Sequence, residues 1–531
     1  MKVAVHGSTG VLARETQEEL KSRGHVVDGA APDAVVYIPG TTDGLSGILS
    51  RGGFSRLVLR SHAYAYGSST KNPGLMTEER VSLLPPGAPE QTWLRAEELA
   101  SKFPNSAIVR LTNVLAPEEG DLLVNQLSRG AAMPLAGHDP NVQFLSVKDA
   151  ARALAAAVES SATGIFNAAG EGTIPLKKAF RAAGTVRVPM LQPVQAALRS
   201  AAAGLGAAKF TGASLDQLQY NWTVSGDRAA RELGYTPSLS TIEALAEFVR
   251  ARPGARPELL SKPYDEYGLD VDYIKAWGWW FAFLRNIYWR IEHEGLENVP
   301  SSGRAMYVSN HRGFMPLDAV MHLSLLFHHR RRIVRFLIIP SLLRIPFLCN
   351  FLTKLGGVIA SQENAARLFS REDLVGIFPE GIRGSFTPYR RTYQLRDFAK
   401  SAFAKIAIEN QTPVIPAAVI GHSEIFPIIG RIDSSFIVKE FGWPYFPIAP
   451  MFPLAPIPIP SKWHVRVLPP VTLEGLKAPD AENVTLVRDF ARHIQNIVQR
   501  NIDDMLPKRK SIFWGKVLDG RHPPAPAFVR R

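Results

Sequence analysis

Apolar and polar positions follow two textures along this chain, separated by a stretch rich in proline and charge. Through residues 1–250, short apolar runs such as VAVHG, HVVDG and AVVYIPG end on turn residues, with amphipathic stretches between them. Apolar runs bounded by glycine and proline predict buried strands, and residues 12–22 predict a helix. Strand, helix and strand in that order predict a parallel sheet covered by helices. From 250 to about 272 the run RARPGARPELLSKPYDEYGLD suits neither element and predicts a linker.

Beyond it, YIKAWGWWFAFLRNIYWRIEHEGLENVP (273–300) predicts one aromatic-rich helix. Its tryptophans beside Lys275, Arg285 and Arg290 suit a membrane interface or packing on a core. Residues 305–308 predict a strand, Pro316 predicts a helix start, and a second strand leads into GIFPEGIRG (376–384). Residues 412–421 predict a buried strand flanking the same place, and His422 beyond it reads as an ordinary loop histidine. Residues 441–463 are too proline-rich for a helix or central strand and predict an apolar loop that dips into lipid or lines an acyl groove. The basic tail from Lys508 predicts disorder and contact with anionic lipid.

Length and charge narrow the class. At 531 residues the chain exceeds one ordinary core, so two domains are expected. The single cysteine, Cys349, sits in the apolar run IPFLCNFL and reads as a buried hydrophobe; one cysteine excludes an internal disulfide framework, and no metal site is expected. A formal charge of +13 suits an anionic surface, and basic clusters beside apolar runs (HHRRRIVRFLIIPSLL) favour lipid. No zinc-finger, RNA-recognition or helix-turn-helix signature points to nucleic acid. No run of about 20 uncharged apolar residues predicts a spanning helix. MKVAVHGSTG runs straight into a strand without a basic leader, so a cytoplasmic location, peripheral or monotopic on the inner membrane face, is expected.

The chemistry concentrates between 307 and 384. YVSNHRGFMPLD delivers His311 at a polar turn and Asp318 at a helix start, and FPEGIRG brings Glu380, Gly381 and Arg383 onto a glycine turn. Strand ends of an open α/β sheet are where such groups converge. With GGVIASQENAARL, RRTYQLRDFAKSAFAKIA, TPVIPAAVIG and FPLAPIPIPSKWHVRVLPPV following in order, residues 287–473 resemble the glycerolipid and lysophospholipid acyltransferases. The resemblance implies His311 as general base, Asp318 fixing its tautomer, and Glu380, Gly381 and Arg383 binding the acceptor, without an acyl-enzyme. Six residues separate His311 from Asp318, where the common spacing in that family has four. Ala360 and Ser361 stand where phosphate-using relatives carry an arginine, which turns attention to a neutral glycerolipid or another alcohol.

In the first half, GSTGVLA places Gly7 and Gly10 between strand and helix, and Asp28 follows the second strand. Small residues there let a pyrophosphate approach a helix N-terminus or simply make a tight turn. With RLVLRSHAYAYG, IVRLTNVLAPEEG, FLSVKDAARALAAAVE and GIFNAAGEG in order, residues 1–250 resemble the NAD-dependent epimerase/dehydratase family, the extended short-chain dehydrogenases. That resemblance implies a dinucleotide on Gly7, Gly10 and Asp28. The family's tyrosine, followed four residues later by a lysine, has no match in PEQTWLRAEELASK, although Ser61 stands where its serine would.

The expected fold class is therefore α/β: a Rossmann-like doubly wound parallel sheet (1–250), a linker (251–272), an α/β glycerolipid-acyltransferase domain (273–507) and a basic tail (508–531). The expected activity is transfer of a fatty acyl group from acyl-CoA or acyl carrier protein to a hydroxyl of a lysophospholipid or glycerolipid at the membrane. It requires no cofactor, with NAD(P) possible in the first domain. Two other readings stay open: an NAD(P)-dependent oxidoreductase or epimerase docked by its second domain, and a nucleotide-sensing scaffold fused to an acyltransferase.

Overall fold

Buried apolar runs become the central strands of two sheets. The computed structural model describes residues 1–27, 31–39, 42–85, 88, 90–191, 194, 197, 215–261, 264–400, 402–450, 452, 457–520 and 528. It divides into two units, Met1–Leu269 with Pro346–Asn350, and Asp270–Ile345 with Phe351–Arg531.

In the first unit, β1 (Lys2–Gly7), β2 (Val26–Val27), β3 (Ala34–Ile38), β4 (Arg56–His62), β5 (Ser106–Leu111) and β6 (Gly164–Ala168) form one sheet in the order β6-β5-β4-β3-β1-β2. Every neighbouring pair is parallel. Helices α1 (Val11–Ser22) and α4 (Val147–Glu159) share one core through Leu12, Leu20, Ala150 and Leu154. Helices α2 (Thr42–Arg51) and α3 (Gln91–Ser101) belong to another through Leu45, Ala96 and Ala100. The two cores make the sheet doubly wound and Rossmann-like, with β3 to β5 buried along their whole length, as strands covered on both faces must be.

The second unit carries a seven-stranded sheet of β7 (Glu292–Glu294), β8 (Ala305–Ser309), β9 (Val334–Ile338), β10 (Val358–Ile359), β11 (Leu374–Ile377), β12 (Val414–Ile420) and β13 (His464–Val467). Its order is β7-β13-β12-β8-β11-β9-β10, and β12 with β13 is the one antiparallel pair. Central β8 and β12 are wholly buried. Helix α5 (Leu317–Arg330) follows β8, and α6 (Val484–Met505) buries one apolar stripe through Phe490, Ile494 and Val498. Among the described residues, no helix is long and apolar enough to cross a membrane.

The aromatic stretch 273–300 is not one helix. Short helices Val271–Ala276 and Gly278–Phe283 lead into a wider turn in which Trp289 N–H bonds the Leu284 carbonyl at 2.8 Å, five residues back. Arg290 then takes a left-handed φ of 45°, which ends the helix and releases β7 to pair with β13. Trp289 is buried against Trp463, while Trp279 stands 70% exposed, so the stretch packs on the core and also faces solvent.

Within 251–272, Arg252 donates to the Ser128 carbonyl at 2.6 Å and Arg256 N–H to that of Ala182 at 2.7 Å, which ties this stretch to the first unit. Of 508–531, Arg509 lies 2.5 Å from the Glu424 carboxylate in the second unit, and 521–527 and 529–531 lie outside the described residues.

Candidate active site

Strand β8 ends in the Ser309–Asn310–His311–Arg312–Gly313 turn, and Asn310 fixes that turn to the neighbouring strand. Its side-chain oxygen accepts from Val419 N–H at 2.9 Å and its amide donates to the Val419 carbonyl at 3.0 Å. Across the turn, Asp318 in the first turn of α5 approaches His311, with Oδ2 2.6 Å from Nδ1. The same oxygen accepts from Arg312 N–H at 3.3 Å, while Oδ1 accepts from Ala319 N–H at 2.8 Å. Asp318 is buried and the His311 ring is only partly covered. A carboxylate acceptor puts the imidazole proton on Nδ1, so Nε2 keeps its lone pair for the cavity that His311 lines.

Burial alone would raise the Asp318 carboxyl, but the charge and hydrogen bond of His311, with His422 and His322 farther away, hold it below the usual carboxylate range. His322, one helical turn after Asp318, is pushed down to about 4 by burial, opposed by Asp318. Its Nδ1 meets the Tyr307 hydroxyl at 2.9 Å. His422, expected as an ordinary loop histidine, does lie in the turn after β12, but it is fully buried with Nε2 3.3 Å from the Asn310 amide, and burial depresses its pKa. The His311 ring stacks on Phe378 (4.5 Å, 17°), which stacks in turn on Phe336 (4.9 Å, 5°).

Glu380 reaches the site but turns its carboxylate toward the protein. Oε2 lies 2.7 Å from the Arg312 guanidinium and accepts from His311 N–H at 3.3 Å, and Oε1 accepts from Arg396 N–H at 2.8 Å. Arg312, fully buried, also donates to the carbonyls of His311, Thr392 and Gln394. This pair braces the histidine turn against the glycine turn. Gly381 sits at a left-handed φ of 54°. The tighter requirement falls on Gly384, where a Cβ would stand 2.3 Å from that of Glu380 and 3.3 Å from the His311 carbonyl. Arg383 faces the cavity.

That cavity has a volume of about 660 Å³. Its lining is mainly apolar, with Phe336, Ile338, Leu342, Phe378 and Trp443, and also includes Arg383, Arg396 and Lys400. Ala360 is part of the wall, and Ser361 caps a helix by accepting from Asn364 N–H at 3.1 Å. Arg312, Phe378, Arg396 and Lys400 were not singled out from sequence, although all four fall in the blocks that carry the acyltransferase resemblance.

In the first unit, Gly7 and Gly10 lie at the β1–α1 turn, and Asp28 lies outside the described residues. Ser61 donates to Glu97 at 2.5 Å, and Glu97 pairs with Arg110 at 2.5 Å. Cys349 is buried, which pushes its thiol up to about 12. Among the described residues, no cluster of histidine, cysteine and carboxylates is arranged to hold a metal.

A family model described as Acyltransferase matches residues 290–420, which span β8, His311, Asp318, Glu380 and β12. An uncharacterized protein of Mycobacterium leprae (strain TN) is 31% identical over 284 residues, 52% of this chain and 77% of that protein. The chain carries an acyltransferase-family domain. An uncharacterized protein of Mycobacterium tuberculosis (strain H37Rv) is 31% identical over 301 residues, 54% of this chain and 83% of that protein. Among solved structures, UDP-N-acetylglucosamine 4-epimerase from Bacillus cereus is 17% identical and covers 47% of this chain and 98% of its own, with a TM-score of 0.34. The human epimerase family protein SDR39U1, solved with NADPH, is 18% identical and covers 47% and 100%, with a TM-score of 0.36.

Proposed function

We propose that the second unit transfers a fatty acyl group from a thioester, acyl-CoA or acyl carrier protein, to a hydroxyl of a glycerolipid or lysophospholipid. The observation that carries this reading is the His311–Asp318 pair at 2.6 Å, whose free imidazole nitrogen belongs to a mainly apolar cavity that also carries Arg383, Arg396 and Lys400. As the acceptor oxygen attacks the thioester carbonyl, Nε2 takes its proton. Collapse of the tetrahedral intermediate expels the thiolate, which recovers that proton from the imidazolium, leaving an ester and a free thiol. Buried Asp318 supports the imidazolium formed between the two steps.

The apolar wall suits an acyl chain, and a volume of about 660 Å³ suits a chain of moderate length with its reacting head. Arg383, with Arg396 and Lys400, suits a phosphate on acceptor or donor. Glu380 serves the acceptor indirectly, by fixing Arg312 and the His311 backbone. Access for a lipid runs past residues 426–450, in the insert between β12 and β13, whose helix Ser435–Phe441 exposes Phe436 and Val438 beside Lys439. Trp443 of this insert lines the cavity, and Arg344, next to Leu342, donates to the Lys439 carbonyl at 3.1 Å. In this reading the protein works as a peripheral protein on the cytoplasmic face of a membrane.

The decisive experiment offers the full-length protein and His311→Ala a set of acyl thioesters with lysophospholipids, glycerol phosphate and monoacylglycerol. Wild type releases thiol with one acceptor class, and the folded variant loses at least about 100-fold, as expected on removing a general base. A folded His311→Ala variant with wild-type turnover would refute the assignment.

A further inference from the structure

We propose that the glycine turn of the first unit holds a carboxylate of its own chain in the place of a cofactor phosphate, and that this unit takes no NAD(P). The N-terminus of a helix concentrates unpaired N–H groups and partial positive charge, which is why the β1–α1 turn of a doubly wound sheet receives a dinucleotide pyrophosphate. Here that role is already filled. The Leu12 N–H donates to Oε1 of Glu119 at 3.3 Å, from 107 residues away, and the Gly10 N–H donates to the Ser8 hydroxyl at 3.0 Å.

The clearance above the turn is filled as well. A Cβ at Gly10 would stand 3.1 Å from Glu119 Oε1 and 3.1 Å from Ser8 Oγ, so the space its missing side chain would free for a phosphate belongs to those two groups. Gly7 has a separate reason to be glycine: its φ is 102° and a Cβ would lie 2.0 Å from the Ile38 carbonyl. Glu119 is held in place, its side chain only 6% exposed, at the end of the turn Pro117–Glu119 and 3.9 Å from the buried Arg60 guanidinium. Arg60 in turn lies over the Trp93 ring, 4.6 Å from its centroid.

The neighbouring charges at this end of the sheet are also paired within the unit. His62 lies 3.0 Å from Asp121, and Ser61 and Arg110 converge on Glu97, each at 2.5 Å. A dinucleotide would bring two negative phosphates against Glu119 while leaving Arg60 to exchange a built-in partner for an added one. The internal anion competes intramolecularly, at an effective concentration that a free dinucleotide has to exceed.

The test is thermal unfolding and calorimetric titration of the full chain, wild type and Glu119→Ala, with NAD+, NADPH and inorganic phosphate. Wild type should give no saturable heat with millimolar NAD+ or NADPH and no shift with phosphate beyond that of matched salt. Glu119→Ala should melt lower and regain part of the loss when phosphate is added. Saturable NAD(P) binding by wild type overturns the proposal. So does a Glu119→Ala variant of unchanged melting temperature, or one whose loss phosphate does not reduce, since Glu119 would then be a packing residue. Should Glu119→Ala fail to fold, Glu119→Ser, which also removes the charge and vacates the space above the turn, gives the same readings.

Discussion

Asp318 touches neither the cavity nor a reacting atom in the proposed chemistry, yet its replacement is expected to cost most of the rate. Its Oδ2 fixes the proton on His311 Nδ1 at 2.6 Å and meets the Arg312 N–H on the same turn. Asp318→Asn keeps the shape but offers an amide in place of an acceptor-only carboxylate, so a tautomer with the proton on Nε2 becomes competitive. Acyl transfer should fall by about 10³ to 10⁴ in kcat with KM little changed, the pattern of a misplaced tautomer rather than lost binding. Equal losses in kcat and affinity, or a variant that no longer unfolds cooperatively, would assign Asp318 to the fold instead. Glu380 illustrates the opposite case, a residue whose motif suggests ligand contact while its atoms are engaged with Arg312 at 2.7 Å and with two backbone N–H groups.

At the scale of elements, α5 places Asp318 and His322 on one buried face, and the turn after β12 adds the buried His422 near both. His322 faces Tyr307 and Ser309 of β8, with Asp318 and His311 as its charged neighbours. Unfolded histidines take up protons near pH ~6.5. Folded His322 does so only at about 4, and His422 is shifted the same way. The unfolded chain therefore binds more protons in that window, and stability should fall as pH drops from about 6.5 towards about 4. Asp318, depressed in the fold, adds its loss only below the ordinary carboxylate value of about 3.9. Denaturant unfolding of wild type and His322→Gln across this range tests it: the variant should show the shallower slope, and identical slopes would remove His322 from the account. Local pattern made β1, α1, β8, α5 and β12 legible, because period and turn residues act over a few positions. It also made the His311–Asp318 pair legible, seven positions apart across one turn. What it missed is long-range. The Arg312–Glu380 pair closes over 68 positions and the Leu12–Glu119 bond over 107, and neither leaves a local trace. The broken helix of 273–300 was missed because β13, which draws Glu292–Glu294 into the sheet, lies about 170 residues downstream.

For the whole molecule, a charge of +13 and an apolar rim beside the cavity make separable demands on a membrane surface. Charge acts at a distance and is screened within about 10 Å at 0.1 M salt. Apolar insertion needs contact and contributes about 25 cal/mol per Å² whatever the salt. Phe436 is 64% exposed and Val438 50%, on one short helix next to Trp443 of the cavity wall, and Ile429 and Ile432 add apolar surface on the preceding segment of the insert. If this face meets the bilayer, co-sedimentation with vesicles should need anionic lipid at low affinity and weaken as salt rises. Phe436→Ser with Val438→Ser should lower binding by a factor that stays constant across salt, because the lost term is not electrostatic. Substituting Lys439 and Arg431, the cations of the same insert, should instead flatten the salt dependence. The two sets need not alter turnover on a short, water-soluble acceptor, for which no bilayer has to be approached. Binding that ignores both sets would move the lipid-facing surface elsewhere, with the exposed Trp279 and Trp514 as the next site to substitute. Binding lost in every variant at all salt concentrations would instead indicate that residues 426–450 hold the cavity together, and the thermal midpoint of the same proteins distinguishes that outcome.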